Sequence, residues 1–332
     1  CGGRMIITLT ANPSVDLTLE LDTFVQGEVN RSTGKHKDPA GKGINVSRAL
    51  HKNGISTAAI FPSDAVVGGW IETALSESGI PTITTRIADE VRQNITIVDA
   101  QGDTTKINEQ GPALSEAETA SLLAQISGVL DTQPRWLVAA GSLPRGLDGS
   151  FYVALGKLAH KHGVRFAVDS SGKAFAAVAH AGVADLMKPN HEELEELAGR
   201  ELPTVGDVVE FAQSLLGNPE AAIVVSLGEN GALLVNGRGS IWAGHDPVTP
   251  DSTVGAGDST LAGYLSADVT LSEEFSEHQD GDITRISTAV AWGSAAVQLP
   301  ATTVPGPKDI TITAVHTVVN PSLTTAIKEL HV

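Results

Sequence analysis

The sequence predicts a doubly wound α/β fold: a mostly parallel sheet with helices on both faces, and a small β-sheet standing off it. Short, continuously apolar runs recur along the chain, as strands buried on both faces require. Longer amphipathic segments separate those runs, giving a β-α-β-α rhythm. Two other segments instead alternate apolar and polar residues, the mark of strands buried on one face only. The first two observations carry the core and the third carries the small sheet.

In chain order, residues 1–4 precede a first strand at Ile6-Ile7-Thr8-Leu9-Thr10. Val15–Leu21 alternates, and so does Asn94–Asp99; Gln101-Gly102-Asp103 then supplies a hairpin turn into the polar strand Thr104–Ile107. Alternation predicts half-buried antiparallel strands, so residues 15–35 and 91–108 form a small lid-like sheet inserted in one domain spanning residues 1–332. A sheet with one apolar face must cover either a cleft or a partner subunit. Buried strands follow at 136–140, 165–169, 185–187 and 222–226, with helices at 115–130, 149–162, 191–199 and 205–217 between them. Ser115 with Glu118 three residues on opens the first of these helices as a capping box. Further helices are expected at 46–52, 260–267 and 283–299, and the acidic stretch Glu273–Asp282 reads as a solvated loop.

Composition limits the partners. The 332 residues carry 22 Lys+Arg against 39 Asp+Glu, a formal charge of −17, which repels nucleic acid and anionic membranes at long range. A small anion needs only a few local cations, so an anionic substrate stays open. A single Cys excludes an internal disulfide framework and a Cys-rich zinc site, and fits a cytoplasmic location. No apolar run reaches the roughly 18 residues that span a bilayer.

The chemistry concentrates in glycine-rich loops. Ser252-Thr253-Val254-Gly255-Ala256-Gly257-Asp258 runs into a helix, and its glycines let backbone N–H groups of Ala256, Gly257 and Asp258 approach an anion at the positive helix end. A carboxylate beside such a cradle suits a base that takes a hydroxyl proton while the cradle holds developing phosphoryl charge. Gly41-Lys42-Gly43-Ile44-Asn45 opens a second helix and adds a cation and an amide. Gly141-Ser142-Leu143-Pro144, Lys188-Pro189-Asn190 with Glu193, and Ser226-Leu227-Gly228-Glu229-Asn230-Gly231 each follow a buried strand, where α/β folds bind ligands. Each loop alone is a turn; several at strand ends in one chain are hard to explain by turn-making.

Taken together these residues resemble the ribokinase-like sugar kinases of the phosphofructokinase B branch, over essentially the whole chain from Thr10–Asp16 to 283–299. The two family signatures correspond to Gly41–Val46 and to Asp251–Gly263. Within the family, Val91–Thr96 and Gly102–Glu109 are similar to bacterial 1-phosphofructokinases, and the Lys of Gly41-Lys42-Gly43 is shared with tagatose-6-phosphate kinases. The resemblance implies ATP as donor, Mg²⁺ bridging its oxygens, and a phosphorylated ketohexose as acceptor. It assigns Asp258 as base and Gly255, Ala256 and Gly257 as the phosphoryl cradle. Asp16, Asn45, Asn94 and Ser142 would bind the sugar within the loop of Gly41 and Gly43, and Lys42, Arg92 and Arg31 its far phosphate. Lys188, Asn190, Ser226, Gly228, Gly231 and Thr253 would line the nucleotide site, with Glu193 reaching the metal through water. A homodimer through the small sheet is a further expectation from the resemblance.

The preferred reaction is fructose 1-phosphate to fructose 1,6-bisphosphate. Its alternatives are tagatose-6-phosphate kinase and 6-phosphofructokinase, and, from another class, a non-catalytic sensor of sugar phosphate or nucleotide. Three departures from the family stand out: Ala40 where relatives have Gly, Arg145 within the Gly-Ser-Leu-Pro loop, and an unmatched segment at 300–306.

Overall fold

The first strand, β1 (Ile6–Leu9), is the hinge of the architecture, because the chain winds outward from it in both directions. A computed structural model describes residues 4–272, 278–300 and 302–332. After β1 come β2 (Ser14–Leu21), β3 (Gly34–Ala40), α1 (Lys42–Lys52), β4 (Thr57–Ser63), α2 (Val67–Glu77), β5 (Thr82–Arg86), β6 (Arg92–Asp99) and β7 (Thr104–Asn108). Next are α3 (Glu116–Leu130), β8 (Trp136–Ala140), α4 (Gly149–Lys161), β9 (Arg165–Asp169), α5 (Gly172–Ala181), β10 (Leu186–Met187), α6 (His191–Ala198) and α7 (Val205–Ser214). The chain closes with β11 (Ala222–Ser226), β12 (Ala232–Asn236), β13 (Gly239–His245), α8 (Ala256–Thr270), α9 (Gln279–Val297) and β14 (Val315–Val319).

The main sheet has ten strands in the order β14-β13-β12-β11-β10-β9-β8-β1-β4-β5. The run from β5 to β11 is parallel, while β12, β13 and β14 pair antiparallel. Along β8, Leu137 and Ala139 face one apolar layer and Trp136, Val138 and Ala140 the other, which is why the strand is apolar throughout. Side chains of α1, α8 and α9 fill one layer and those of α2 to α7 the other. Strand order reverses between β1 and β8, and the crevice at their carboxyl ends is where such sheets take ligands.

β3-β2-β6-β7 form the small sheet. It differs from the sequence expectation in two ways. It includes residues 34–40, whose polar sequence gave no strand signal, and its central pair, β2 with β6, is parallel. Both strands leave the carboxyl edge of the main sheet, β2 after β1 and β6 after β5, so they set out in the same direction. β2–β3 and β6–β7 are antiparallel as expected.

The capping box at Ser115 forms in both halves, with Ser115 accepting from the Glu118 N–H. The acidic stretch is corrected from residue 279 onward: Gln279–Asp282 begins α9, and residues 273–277 lie outside those described. Asp282 is buried because it is paired, accepting from Asn236 at 2.8 Å and from Arg238 and Arg285 at 2.9–3.0 Å. Arg285 continues to Asp268 at the far end of α8, where Trp136 Nε1 (2.8 Å) and Arg165 (3.1 Å) also converge. That network ties the ends of α8 and α9 beneath the sheet edge opposite the loops. No helix among the described residues is long and apolar enough to cross a membrane.

Candidate active site

Two helix N-termini meet at the crevice. α1 starts at Gly41, whose φ of 121° lies in the region that favours glycine. A Cβ on Gly43 would stand 2.6 Å from Thr10 Oγ1 and 2.7 Å from the Leu9 carbonyl, so glycine here lets α1 sit directly on the end of β1. Thr10 Oγ1 then accepts the Ile44 N–H at 2.8 Å. α8 is capped by Gly255 at φ 77°. Ala256 N–H turns back to the Thr253 carbonyl at 3.4 Å, whereas the N–H groups of Gly257 and Asp258 donate to no group among the described residues. The cradle expected from three amides is thus made by two. Asn45 on α1 donates from Nδ2 to Asp258 Oδ2 at 2.8 Å and locks the two helix starts together.

Around that bond lies a compensated set of charges. Asp258 is buried, and burial, reinforced by the negative charge of Asp169, pushes its carboxyl up to about 6; Lys42, Asn45 and Lys188 pull the other way. Asp169 closes β9. Lys42 Nζ lies 2.6 Å from its Oδ1, and Lys188 Nζ lies 3.0 Å from Oδ2 as an ion pair rather than an aligned hydrogen bond. Burial opposes the Asp169 charge, but the two ammonium groups outweigh it and hold the carboxyl below its usual range. Lys42 is in turn raised above the ordinary lysine value, chiefly by Asp169. Lys188 Nζ sits only 3.1 Å from where a Gly257 side chain would begin, so it borders the cradle.

A second cluster lies on the small sheet. Asp16 accepts from Ser14 Oγ at 3.2 Å and Asn94 Nδ2 at 3.0 Å. Burial raises its carboxyl, with the nearby Arg92 charge opposing. Arg92 donates to the carbonyls of Glu109 (3.3 Å) and Asn12 (3.2 Å), and Asn12 Nδ2 donates to Ser142 Oγ at 3.2 Å. Asn12 Oδ1, Asn45 Oδ1, Asn94 Oδ1 and Arg92 Nε are buried with no hydrogen-bond partner among the described residues. Each such orphan costs about 1–3 kcal/mol. Three open acceptors and one open donor are what a polar ligand with several donors and at least one acceptor would satisfy.

Other predicted residues fall less centrally. Lys42 is bound to Asp169 beside Asp258, whereas Arg92 belongs to the cluster on the small sheet. Arg31 is exposed in the connection between β2 and β3 and bonds to neither cluster. Arg145 pairs with Asp89 at 3.2 Å and donates to the carbonyl of Gly111, a glycine packed against Asn12 and Arg92, so it stands at the border of the second cluster. Asn190 and Glu193 satisfy each other as a capping box on α6, each using one oxygen (2.7 and 2.9 Å) and leaving Glu193 Oε1 uncommitted. Ser226 N–H bonds to the Pro189 carbonyl at 3.0 Å, which holds the Lys188–Asn190 and Ser226–Gly231 loops side by side. In the latter loop Gly228 (φ 62°) and Gly231 (φ 84°) make the turn. Thr253 is exposed on an open groove of about 640 Å³ shared with Thr104 and Lys106 of the small sheet. Among the described residues no cluster of three His, Cys, Asp or Glu is disposed to hold a metal.

Asp169, Asn12 and Ser14 were not singled out from sequence. The signal for Asp169 was a lone carboxylate ending an apolar strand, Phe166-Ala167-Val168-Asp169, at the ligand edge of the sheet. Asn12 and Ser14 lay inside a motif whose neighbour Asp16 drew the assignment.

Residues 9–309 match the family model for the pfkB family carbohydrate kinases. The chain is 37% identical over 298 residues to the ATP-dependent 6-phosphofructokinase isozyme 2 of Escherichia coli (strain K12), covering 88% of this chain and 92% of that one. It is 33% identical over 274 residues to the 1-phosphofructokinase of Bacillus subtilis (strain 168), covering 82% and 89%. The crystal structure of Escherichia coli phosphofructokinase-2 in complex with substrates and products superposes with a TM-score of 0.78 at 34% identity, over 92% of this chain and 96% of that one.

Proposed function

The chain belongs to the pfkB family of carbohydrate kinases, and we propose that it transfers the γ-phosphoryl group of ATP to O6 of fructose 1-phosphate, with Asp258 as base. ATP-dependent sugar-phosphate kinase activity follows from the family and its relatives. The observation that carries the mechanism is the buried Asp258, held by Asn45 beside two free N–H groups and Lys42. A carboxyl at about 6 is ionised at neutral pH, yet basic enough to draw a hydroxyl proton as the bond to phosphorus forms. The proton passes to Asp258, the sugar oxygen joins the γ-phosphorus, and ADP leaves with the electrons of the broken P–O bond. The Gly257 and Asp258 amides, Lys42 and Lys188 stabilise the negative charge spread over the moving group. That role for Lys42 replaces the far-phosphate role suggested by its motif, which falls to Arg92.

Mg²⁺, where bound, neutralises phosphate charge. The residues fit a loosely held ion: Glu193 Oε1 is uncommitted, and Asp169 is already shared by two lysines. Phosphate oxygens and waters would supply most ligands. On this reading the chain is one kinase domain and the small sheet its lid. The polar face of that sheet presents Asp16 and Asn94 to the sugar, which leaves Leu17, Leu19, Ile95, Ile97 and Ile107 on the other face, all partly or fully exposed. A second copy of the chain is the proposed cover.

The family resemblance of Val91–Thr96 favours fructose 1-phosphate, while the 37% identity to an isozyme 2 favours a 6-phosphofructokinase as the second reading. Steady-state ADP release on fructose 1-phosphate, fructose 6-phosphate and tagatose 6-phosphate decides between them. The highest kcat/KM is expected for fructose 1-phosphate; a higher value for either of the others overturns the choice.

A further inference from the structure

Asp64 stands one residue past β4, where the core hands the chain on to α2. Its carboxylate accepts four backbone N–H groups: Val66 (2.7 Å) and Val67 (3.0 Å) on Oδ2, Gly68 (2.8 Å) and Val91 (3.1 Å) on Oδ1. Three of them are the open donors at the start of α2, whose N-cap, Val66, has no side-chain acceptor of its own. The fourth comes from a different segment. Val91 is buried and directly precedes Arg92, the first residue of β6. Asp64 is itself buried; burial works against its charge, but the four N–H groups outweigh it and hold the carboxyl below the usual range.

Two supports of the small sheet, α2 and the entry to β6, therefore end on one core carboxylate. β6 enters the sheet immediately after the Val91 bond. α2 backs the sheet from the other side, where Lys37 Nζ of β3 lies 4.0 Å from the centroid of the Trp70 ring. Among the described residues the guanidinium of Arg92 is held by two long bonds to carbonyls, 3.3 and 3.2 Å, and neither fixes its own backbone. The upstream ties, Ile87 N–H to Ser63 (3.2 Å), Ala88 N–H to Glu118 (2.7 Å) and Asp89 to the Ala113 N–H (2.8 Å), end three residues short of Arg92. The ladder with β2 begins at Arg92 itself, opposite Ser14, so the Val91 bond is the core tie next to it. We infer that Asp64 is a positioning residue for sugar-phosphate recognition: by holding the Val91 N–H it sets where the Arg92 guanidinium stands.

This rests on the reading of Arg92 as the contact to the substrate phosphate, and the test separates the two. Asp64→Ala, Arg92→Ala and the double variant of the full chain are compared by steady-state kinetics with the preferred sugar phosphate and with ATP. The expected result is a rise of about tenfold in the sugar-phosphate KM for Asp64→Ala, a KM for ATP within about twofold, and no further rise when it is added to Arg92→Ala. If Arg92→Ala leaves the sugar-phosphate KM unchanged, the Arg92 reading fails and the inference falls with it. If Arg92→Ala raises that KM while Asp64→Ala does not, Asp64 alone is overturned. Multiplying effects in the double variant, or equal effects on both substrates, overturn it too. Should Asp64→Ala not fold, Asp64→Asn keeps one acceptor oxygen. A smaller rise in the sugar-phosphate KM at a near-native melting temperature supports the inference, and an unchanged KM sinks it.

Discussion

At the scale of single residues the proposed function divides the site into groups that would act on the moving phosphoryl and groups that would hold the sugar. Asp258→Asn should lower kcat by about 10²–10⁴ with little change in either KM, which also excludes a sensor without turnover. The wild-type kcat/KM should fall as pH drops through about 6, and that limb should vanish in the Asn variant. The folded carboxyl lies above its ordinary 3.8, so the stability it contributes is present below that value and lost as pH rises through about 6. Above pH 6 the Asn variant should therefore melt higher than the wild type, in a thermal scan that wild-type ligand binding does not complicate. Lys42→Met should cut kcat by about 10²-fold, whereas Arg92→Ala should raise the sugar-phosphate KM by about 10–100-fold and spare that of ATP. Equal KM effects for sugar and ATP in Arg92→Ala would remove it from the substrate phosphate.

At the scale of elements, α1 and α8 matter for how closely they start to the sheet. Gly43→Ala must push the helix off the Leu9 carbonyl and Thr10, and an overpacked junction of that kind costs about 1–3 kcal/mol. Denaturant titration should show the loss, with kcat falling as Asn45 drifts from Asp258; an unchanged midpoint would mean that α1 yields freely. This is also where sequence reading succeeded and failed. Gly41-Lys42-Gly43 and Gly255-Ala256-Gly257-Asp258 were legible as helix starts because a positive φ or a close approach to a strand end restricts residue type locally. The buried apolar strands β8, β9 and β11 were legible for the same kind of reason, since burial on both faces leaves an unbroken apolar run. The pairing of Lys42 with Asp169 was not legible, because the two residues are 127 apart and nothing local to either reports it. β3 was missed because its half-exposed polar residues are fixed by pairing with β2, a property of the sheet rather than of the segment.

At the scale of the whole molecule, the half-exposed apolar face of the small sheet predicts self-association. Leu19→Glu or Ile97→Lys should convert a dimer to a monomer in sedimentation at micromolar concentration, since a charge on that face would be buried unpaired; a monomeric wild type would end the dimer reading. The parallel pairing of β2 with β6 bears on time rather than on energy. Ser14 pairs with Arg92 and Leu21 with Asp99, a constant separation of 78 residues, and the intervening chain includes α1, β4, α2 and β5. Contacts so distant in sequence form late, after local and core pairings have closed most of the loop. During refolding, the wall that carries Asp16, Asn94 and Arg92 is thus the last part of the crevice to assemble. A chain caught midway would hold its base and cradle without the surface that selects a sugar, so maturation of activity should lag behind formation of the core.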